Sequence, residues 1–261
     1  MNTTDQLSRG VTPGRPPRSA PMRDVVAALS AAQKTSKGAP AYSRFVNRPA
    51  GRVLAAIAYR AGATPNGVTA VSALFSFTGI ALLALVRPTW WSGVLVAVCL
   101  VVGYAFDAAD GQLARLRGGG SAAGEWLDHM VDALKISTLH LAVLVGLFRF
   151  TELADAWMLV PIGFAVVAAV MFFGMMLNDS LRRQFTARTG IAVERGGTSG
   201  LRSLLVIPTD YGLLCVIFVL WGAPSVFFPV YAVVFACNAG FLALAAVKWF
   251  RDMGALDKGP R

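Results

Sequence analysis

Long runs of apolar residues alternate with short polar turns along most of this chain, and their lengths predict membrane-spanning helices. A helix that crosses the hydrocarbon core of a bilayer needs about 20 mostly apolar residues. Six runs approach or exceed that length, and we place the spans near 68–87, 90–114, 122–148, 156–178, 203–222 and 225–249. Pro88 and Pro224 lie in turns between spans, where helix breaks are expected. The pattern predicts an all-α integral membrane protein with six transmembrane helices.

The residues before the first span are more polar and predict a different kind of structure. Residues 1–42 begin with a tract rich in Pro, Gly, Ser, Thr and Arg and show weak helical periodicity only after position 22, so we expect a disordered or weakly helical arm. Residues 43–67 are typical of a basic amphipathic helix in the membrane interface, with Asn47 as its N-cap and Pro49 in its first turn. The remaining parts are a six-helix membrane domain, 68–249, and a tail, 250–261.

Composition agrees with this pattern, and the charges predict how the chain lies in the membrane. Of the 261 residues, 56% are hydrophobic and 15% are charged, against roughly 25% charged in soluble domains. The net charge is +10, which in a membrane protein indicates orientation and contact with anionic lipid rather than with nucleic acid. The turns on one side hold only Arg87 and Arg149, whereas the other side holds most remaining Lys and Arg. We therefore expect a cell-membrane protein with both termini in the cytoplasm.

Four aspartates lie where the second and third predicted spans meet at the cytoplasmic side. Asp107 and Asp110, at i and i+3, lie near the end of the second span. Asp128 and Asp132, at i and i+4, lie near the start of the third. Each spacing places a pair on one helix face, and the short turn lets the two pairs face each other. Four converging carboxylates repel unless they are protonated or neutralised, and all-oxygen ligation suits Mg²⁺, Mn²⁺ or Ca²⁺.

The residues between the two pairs are suited to a phosphate group. Gly111 lets a ligand approach the backbone closely, and Arg115, one turn later, can donate several hydrogen bonds to a diphosphate. Gly124 has no side chain, so the third span is narrower where it faces the second. The run Gly118–Gly120 predicts a flexible turn, and Ser121 predicts the N-cap of the helix that follows.

The stretch from Asp107 to Asp132 is D-x2-D-G-x2-A-R-x8-G-x3-D-x3-D, and it resembles the signature of the CDP-alcohol phosphotransferases, also called CDP-alcohol phosphatidyltransferases. The six-span layout and residues 64–69, TPNGVT, are also similar to that family, and the resemblance covers roughly residues 44–249. It implies a six-helix membrane enzyme, usually a homodimer, that uses two divalent cations, Mg²⁺ or Mn²⁺. Such an enzyme moves a substituted phosphate from a CDP-linked donor to an alcohol acceptor and releases CMP.

The resemblance also implies roles for individual residues. The four aspartates would hold the metal ions, Asp128 and Asp132 would be catalytic, and Asp132 would be the candidate general base for the acceptor hydroxyl. A base role requires Asp132 to be partly free of the metals, because nearby cations lower the proton affinity of a carboxylate. The implied CDP-donor site consists of Gly111, Arg115, Gly124, Asn66 and Thr69.

Basic residues on the same side form a candidate pocket for a phosphorylated acceptor. Most lie in a loop predicted at 179–202, and the candidates are Lys135, Arg182, Arg188, Arg195 and Arg202, with Arg183 beside them. Positive-inside bias alone is the alternative explanation of the arginines. Lys135 lies one turn deeper than Asp132, so we expect it to line a polar cavity rather than to face lipid. His129 and His140 favour packing roles over metal ligation.

Two versions of the enzyme differ in which substrate carries the lipid. In the first, CDP-diacylglycerol is the donor, and a polar alcohol such as an inositol phosphate or glycerol phosphate accepts. In the second, the donor is a CDP-linked polar alcohol, and a lipid or polyol phosphate accepts. Other classes that fit intramembrane acids are a cation transporter and a non-catalytic scaffold. The aspartates would have a purely structural role if they only formed ion pairs with Arg115, Arg117 and Lys135.

Overall fold

The computed structural model describes residues 15–33, 40–191 and 207–257, and all regular structure within them is helical. The α-helices are α1 (Met22–Ala31), α2 (Arg48–Arg60), α3 (Pro65–Leu85), α4 (Trp90–Leu116), α5 (Ala122–Phe150), α6 (Leu159–Thr189), α7 (Tyr211–Ile217) and α8 (Pro224–Asp257). A π-helical turn, Ser43–Asn47, precedes α2, and 3₁₀ turns lie at Asp155–Met158, Ile207–Thr209 and Phe218–Gly222.

Five of these helices are long and apolar enough to cross a membrane. They are Pro65–Leu85, Trp90–Leu116, Ala122–Phe150, Asp155–Thr189 and Pro224–Leu256. The predicted all-α, multi-pass membrane fold is therefore confirmed. The predicted span at 203–222 differs from the other five, because its described part contains only the shorter apolar helix Tyr211–Gly222.

Short polar side chains fix where several of the helices begin. Thr64 Oγ1 accepts a hydrogen bond from the backbone N–H of Gly67, 3.1 Å away, at the start of α3. Ser121 Oγ accepts from the N–H of Gly124 at 3.0 Å, which confirms the predicted N-cap of α5. Asn47 was predicted to cap α2 but has helical dihedral angles and caps nothing with its side chain, because the π-helical turn carries the helical path into α2.

The helices also differ in length from the segments predicted for them. α6 continues to Thr189, so the first part of the predicted 179–202 loop is helical. Gly190 ends α6 with a φ of 72°, a left-handed conformation that glycine adopts readily. The interfacial helix ends at Arg60, and the last residues of the predicted 43–67 segment begin α3. Helix α8 likewise runs past position 249, because loss of hydrophobicity marks the membrane boundary and does not end a helix.

Helix α2 is amphipathic, as predicted, and its basic face is turned towards the protein. Arg48 and Arg52 are half-buried, whereas Val53 and Ile57 are each 50% exposed. A Cβ atom at Gly51 would lie only 2.8 Å from the Cβ of Ala108 on α4. Glycine at this position therefore lets α2 pack closely against the part of α4 that carries the aspartates.

Two clusters of buried side chains hold the fold together. The larger lies among α3 to α8 and the 3₁₀ turn Phe218–Gly222, and it includes Leu83, Leu100, Val143, Trp221 and Tyr231. The smaller joins α1 and α2 to the end of α4 and includes Val25, Leu29, Ala55, Ala109 and Leu113. The smaller cluster thus lies at the end of the bundle where α4 ends and α5 begins, which we call the polar end.

Candidate active site

Helices α4 and α5 bring both pairs of aspartates to the polar end. The turn between these helices is sharp because Gly118 and Gly119 have φ values of 99° and 124°. Lys135 of α5 then bridges the pairs, with its Nζ 2.9 Å from Asp107 Oδ1 and 2.7 Å from Asp132 Oδ1. Its side chain is 3% exposed, so its ammonium group is a buried counter-ion shared by two of the four acids. Lys135 was predicted to line a polar cavity rather than to face lipid; it is buried away from lipid, but it contacts Asp107 and Asp132 and is not among the residues that line the cavity at the polar end.

Asp110 is held from the opposite side by α3. Its side chain is almost fully buried, and Thr69 Oγ1 lies 2.6 Å from its Oδ2 and donates a hydrogen bond to it. A short charge-assisted bond of this kind orients the carboxylate. The sequence placed Thr69 near a nucleotide, and the structure shows that it also contacts an acid of the predicted metal set.

Asp128 lies in a cluster that was only partly predicted. Ligand atoms of Asp128, His129 and Asp132 all lie within 4.8 Å of one another, close enough to hold a metal ion. His129 Nδ1 is buried and has no hydrogen-bond partner, while its Nε2 lies 3.9 Å from Glu125 Oε1. The sequence did not predict His129 as a ligand beside Asp128, because adjacent residues of a helix point about 100° apart and do not share a face.

A cavity of about 720 Å³ opens at the polar end and is lined by all five of the predicted donor-site residues. Its lining includes Asn66, Thr69, Asp110, Gly111, Arg115, Gly124 and Asp128, together with Arg117, Glu125, His129 and Arg183. Asp107, Asp132 and Lys135 are not among its lining residues and form the buried polar cluster described above. The lining therefore combines carboxylates, glycines and guanidinium groups, and both α4 and α5 contribute an aspartate and a glycine.

Arg115 lies across the glycine that precedes it by one helical turn. A Cβ atom built on Gly111 would lie 3.4 Å from Arg115 Nη1, which is ordinary van der Waals contact. Arg115 Nη2 donates to Gln33 Oε1 at 3.2 Å, and Arg115 Nε is buried without a partner. Across the cavity, a Cβ atom at Gly124 would lie 3.0 Å from Asn66 Oδ1, so the two residues are in close contact.

The structure separates the basic residues proposed for an acceptor pocket. Arg182 pairs with Asp252 of α8 at 2.8 Å, and Arg183 pairs with Glu125 at 2.7 Å on the cavity wall. Arg188 is exposed near the end of α6, and Lys135 contacts the aspartates. The other two candidates, Arg195 and Arg202, lie outside the described residues.

Two other polar residues are structural. Asp210 caps α7 by accepting from the N–H of Gly212 at 3.0 Å, and it also accepts from the N–H of Ser43 at 3.2 Å. His140 stacks on an aromatic ring of α6, and its Nδ1 lies 2.7 Å from the hydroxyl of Tyr231. The expectation that His140 has a packing role is confirmed.

Comparison with known proteins identifies the family. A sequence profile of the family described as CDP-alcohol phosphatidyltransferase matches residues 63–246. The chain belongs to the CDP-alcohol phosphatidyltransferase family. It is accordingly a membrane-embedded transferase of phospholipid biosynthesis, as the signature from Asp107 to Asp132 implied.

Two further comparisons add little to this assignment. A search of curated proteins found no match. Among solved structures, the chain is similar to phosphatidylinositol phosphate synthase from Mycobacterium tuberculosis, solved with CDP-DAG bound. The TM-score is 0.49 at 19% sequence identity, over 78% of this chain and 94% of that one.

Proposed function

We propose that this phosphatidyltransferase moves a substituted phosphate from CDP-diacylglycerol to the hydroxyl of a polar, phosphorylated alcohol and releases CMP. The observation that carries the proposal is the composition of the 720 Å³ cavity. Its lining combines the carboxylates of Asp110 and Asp128 with the glycines Gly111 and Gly124 and the guanidinium of Arg115. A diphosphate ester requires both kinds of group, because its oxygens need donors and its charge needs cations.

The aspartates are proposed to hold two divalent cations, Mg²⁺ or Mn²⁺. Lys135 supplies a single positive charge to Asp107 and Asp132, so the cluster of four acids retains a strong demand for further cations. Ligand atoms of Asp128 and Asp132 lie close together, and the buried His129 Nδ1 beside them has no hydrogen-bond partner. Both observations support cation binding at this cluster. When bound, the cations neutralise charge on the diphosphate and on the departing CMP.

The residues of the chain would position the donor and handle one proton. Arg115 would donate to the diphosphate, while Gly111 and Gly124 admit it to the helix backbones, with Asn66 and Thr69 beside them. Asp132 is the candidate base for the acceptor hydroxyl. One of its oxygens already accepts from the ammonium of Lys135 at 2.7 Å, so its other oxygen would be the one to accept the proton.

The proposal includes the setting of the enzyme. The polar end carries the basic residues of α2, the end of α4 and the end of α6, whereas Arg87 and Arg149 lie at the other end. By the positive-inside rule, the active site and both termini would face the cytoplasm from the cell membrane. A homodimer is part of the proposal on the family resemblance, and Arg183 is the strongest described candidate for contact with an acceptor phosphate.

The test is CMP release from purified protein in lipid micelles. We expect CMP only when Mg²⁺ or Mn²⁺, a CDP-linked donor and an alcohol acceptor are all present, and no CMP from Asp128→Asn. Asp155→Asn is the matched control, because Asp155 is exposed and lies at the opposite end of the bundle. Failure of every donor and acceptor pair, or full activity in Asp128→Asn, would overturn the proposal.

The same assay distinguishes the two substrate arrangements. With CDP-diacylglycerol in the micelles and inositol phosphate or glycerol phosphate in solution, the lipid product appears only if the donor carries the lipid. With a soluble CDP-linked polyol and a lipid or polyol phosphate acceptor, product formation would instead favour the second version. Cation flux into sealed vesicles in the absence of a CDP-linked donor would favour a transporter.

A further inference from the structure

A helix that lies outside the family match is built into the polar end. The match begins at residue 63, whereas α1 spans Met22–Ala31. Val25 and Leu29 of α1 are fully buried, in a cluster that also contains Ala109 and Leu113 of α4. The polar end of α4 is therefore covered by a segment for which the family motif assigns no role.

The residue that follows this helix reaches Arg115. Gln33 Oε1 accepts from Arg115 Nη2 at 3.2 Å. Gln33 Nε2 donates to the backbone oxygen of Leu29 at 2.8 Å and to Gln112 Oε1 at 3.2 Å. Gln112 is 1% exposed, and its own Nε2 donates to the backbone oxygen of Arg48 at 3.1 Å.

This network leaves only one orientation for each amide. Rotating the Gln33 amide by 180° would place its NH₂ group against the guanidinium of Arg115, donor against donor, and its oxygen against the carbonyl of Leu29. Gln112 is fixed in the same way, because its NH₂ group must face the carbonyl of Arg48. Hydrogen bonds with residues of α1, α2 and α4 therefore fix the amide so that the Gln33 oxygen accepts from Arg115.

We propose that Gln33 is a positioning residue that holds the guanidinium of Arg115 across Gly111 for contact with the diphosphate of the donor. The inference rests on the proposed function, since it takes Arg115 as a donor-binding residue. A free arginine side chain has several rotatable bonds, and a hydrogen bond to one Nη atom restricts the position of the guanidinium in the cavity lining. Gln33 accepts a hydrogen bond without adding negative charge, so it does not replace the diphosphate as the ionic partner of Arg115.

The first experiment replaces the amide without changing the docked helix. Gln33→Leu keeps the approximate size of the side chain but cannot accept from Arg115, and we expect KM for the CDP-linked donor to rise about 3- to 10-fold, as for loss of one hydrogen bond. The kcat and the KM for the acceptor should not change. Ser30→Ala is the control, because Ser30 is exposed and its hydroxyl donates to the backbone oxygen of Val26 within α1. Unchanged or lower donor KM in Gln33→Leu would overturn the proposal.

The second experiment is a double-mutant cycle that does not depend on turnover. The Kd for CDP in the presence of Mg²⁺ is measured by calorimetry for the original protein, Gln33→Leu, Arg115→Ala and the double variant. If Gln33 acts through Arg115, Gln33→Leu weakens binding in the original protein and has no further effect once Arg115 is alanine.

The outcomes separate the two proposals. Equal and additive effects of Gln33→Leu in both backgrounds would overturn the positioning role and leave the donor site intact. A Kd for CDP that is unchanged in Arg115→Ala would show that Arg115 does not bind the donor. The proposed role of Gln33 would then also be refuted. Loss of folded protein in Gln33→Leu, seen as a lower melting temperature than in Ser30→Ala, would indicate a structural role instead.

Discussion

Replacing Lys135 by methionine tests whether the buried ammonium stabilises the cluster of aspartates. Methionine keeps most of the length of the side chain and removes its charge, which leaves Asp107 and Asp132 without the partner that lies 2.9 and 2.7 Å from them. Removing one partner of a buried ion pair costs about 3–5 kcal/mol. The two aspartates are 21% and 24% exposed, so water reaches them and we take the lower value, about 3 kcal/mol.

The expected loss can be measured as a melting temperature. For a chain of this size, each kcal/mol corresponds to about 2–4 °C, so Lys135→Met should melt about 6–12 °C lower in EDTA. Lys248→Met is the control, because Lys248 also pairs with an aspartate, Asp252, but is 46% exposed. An exposed pair contributes about 1 kcal/mol or less, so the control should melt within about 4 °C of the original protein.

Divalent cations should reverse the effect of this substitution. If the aspartates bind Mg²⁺ or Mn²⁺, the cation binds more tightly to the cluster that lacks Lys135 and stabilises that variant more. The increase in melting temperature on adding Mg²⁺ should therefore be larger for Lys135→Met than for the original protein or for Lys248→Met. Equal melting temperatures of the two lysine variants in EDTA would refute the stabilising role of Lys135. Equal responses to the cation would refute the sharing of these acids with a metal.

Three further substitutions test individual contacts. Gly111→Ala should not lower the melting temperature, because the new methyl group contacts only the end of the flexible Arg115 side chain. It should raise the KM for the donor about 10-fold or more if a phosphate must approach this backbone. Thr69→Val should lower the stability by about 1–3 kcal/mol in thermal unfolding, since Asp110 loses a buried donor, and Thr69→Ser should restore it. Gly103→Leu should reduce the fraction of protein that elutes as a folded species, because a Cβ atom there overlaps α3, whereas Gly240→Leu, in open space, should not.

The sequence was most informative where a single helix carries the signal. Apolar runs predicted the long helices, since membrane spans require length and hydrophobicity together. Helix ends were less predictable, because α6 extends to Thr189, beyond the apolar part of its sequence. The 203–222 run has the composition of a span, but its described part divides into 3₁₀ turns and the short α7. Composition alone does not predict such a change from α-helix to 3₁₀ turn.

The candidate site shows the same division between local and non-local information. The i, i+3 and i, i+4 spacings correctly predicted that the aspartates gather at one end of α4 and α5. Contacts between residues that are far apart in the sequence could not be predicted from periodicity. Thr69 of α3 contacts Asp110, and Lys135 of α5 contacts Asp107. Arg182 was predicted to face an acceptor and pairs with Asp252 instead, because the prediction assigned that part of α6 to a loop.

The aspartates and Arg115 are held by different parts of the fold. The aspartates are fixed by side chains from the spanning helices α3 and α5, through Thr69 and Lys135. Arg115 is instead fixed by Gln33, in the segment after α1, and both α1 and α2 lie before the first span. Substitution of Gln33 should therefore alter donor affinity and leave the cation response of the melting temperature unchanged, whereas substitution of Thr69 or Lys135 should alter that response. Under the proposed function, affinity for the CDP-linked donor can thus change through Gln33 while Thr69 and Lys135 still hold the aspartates.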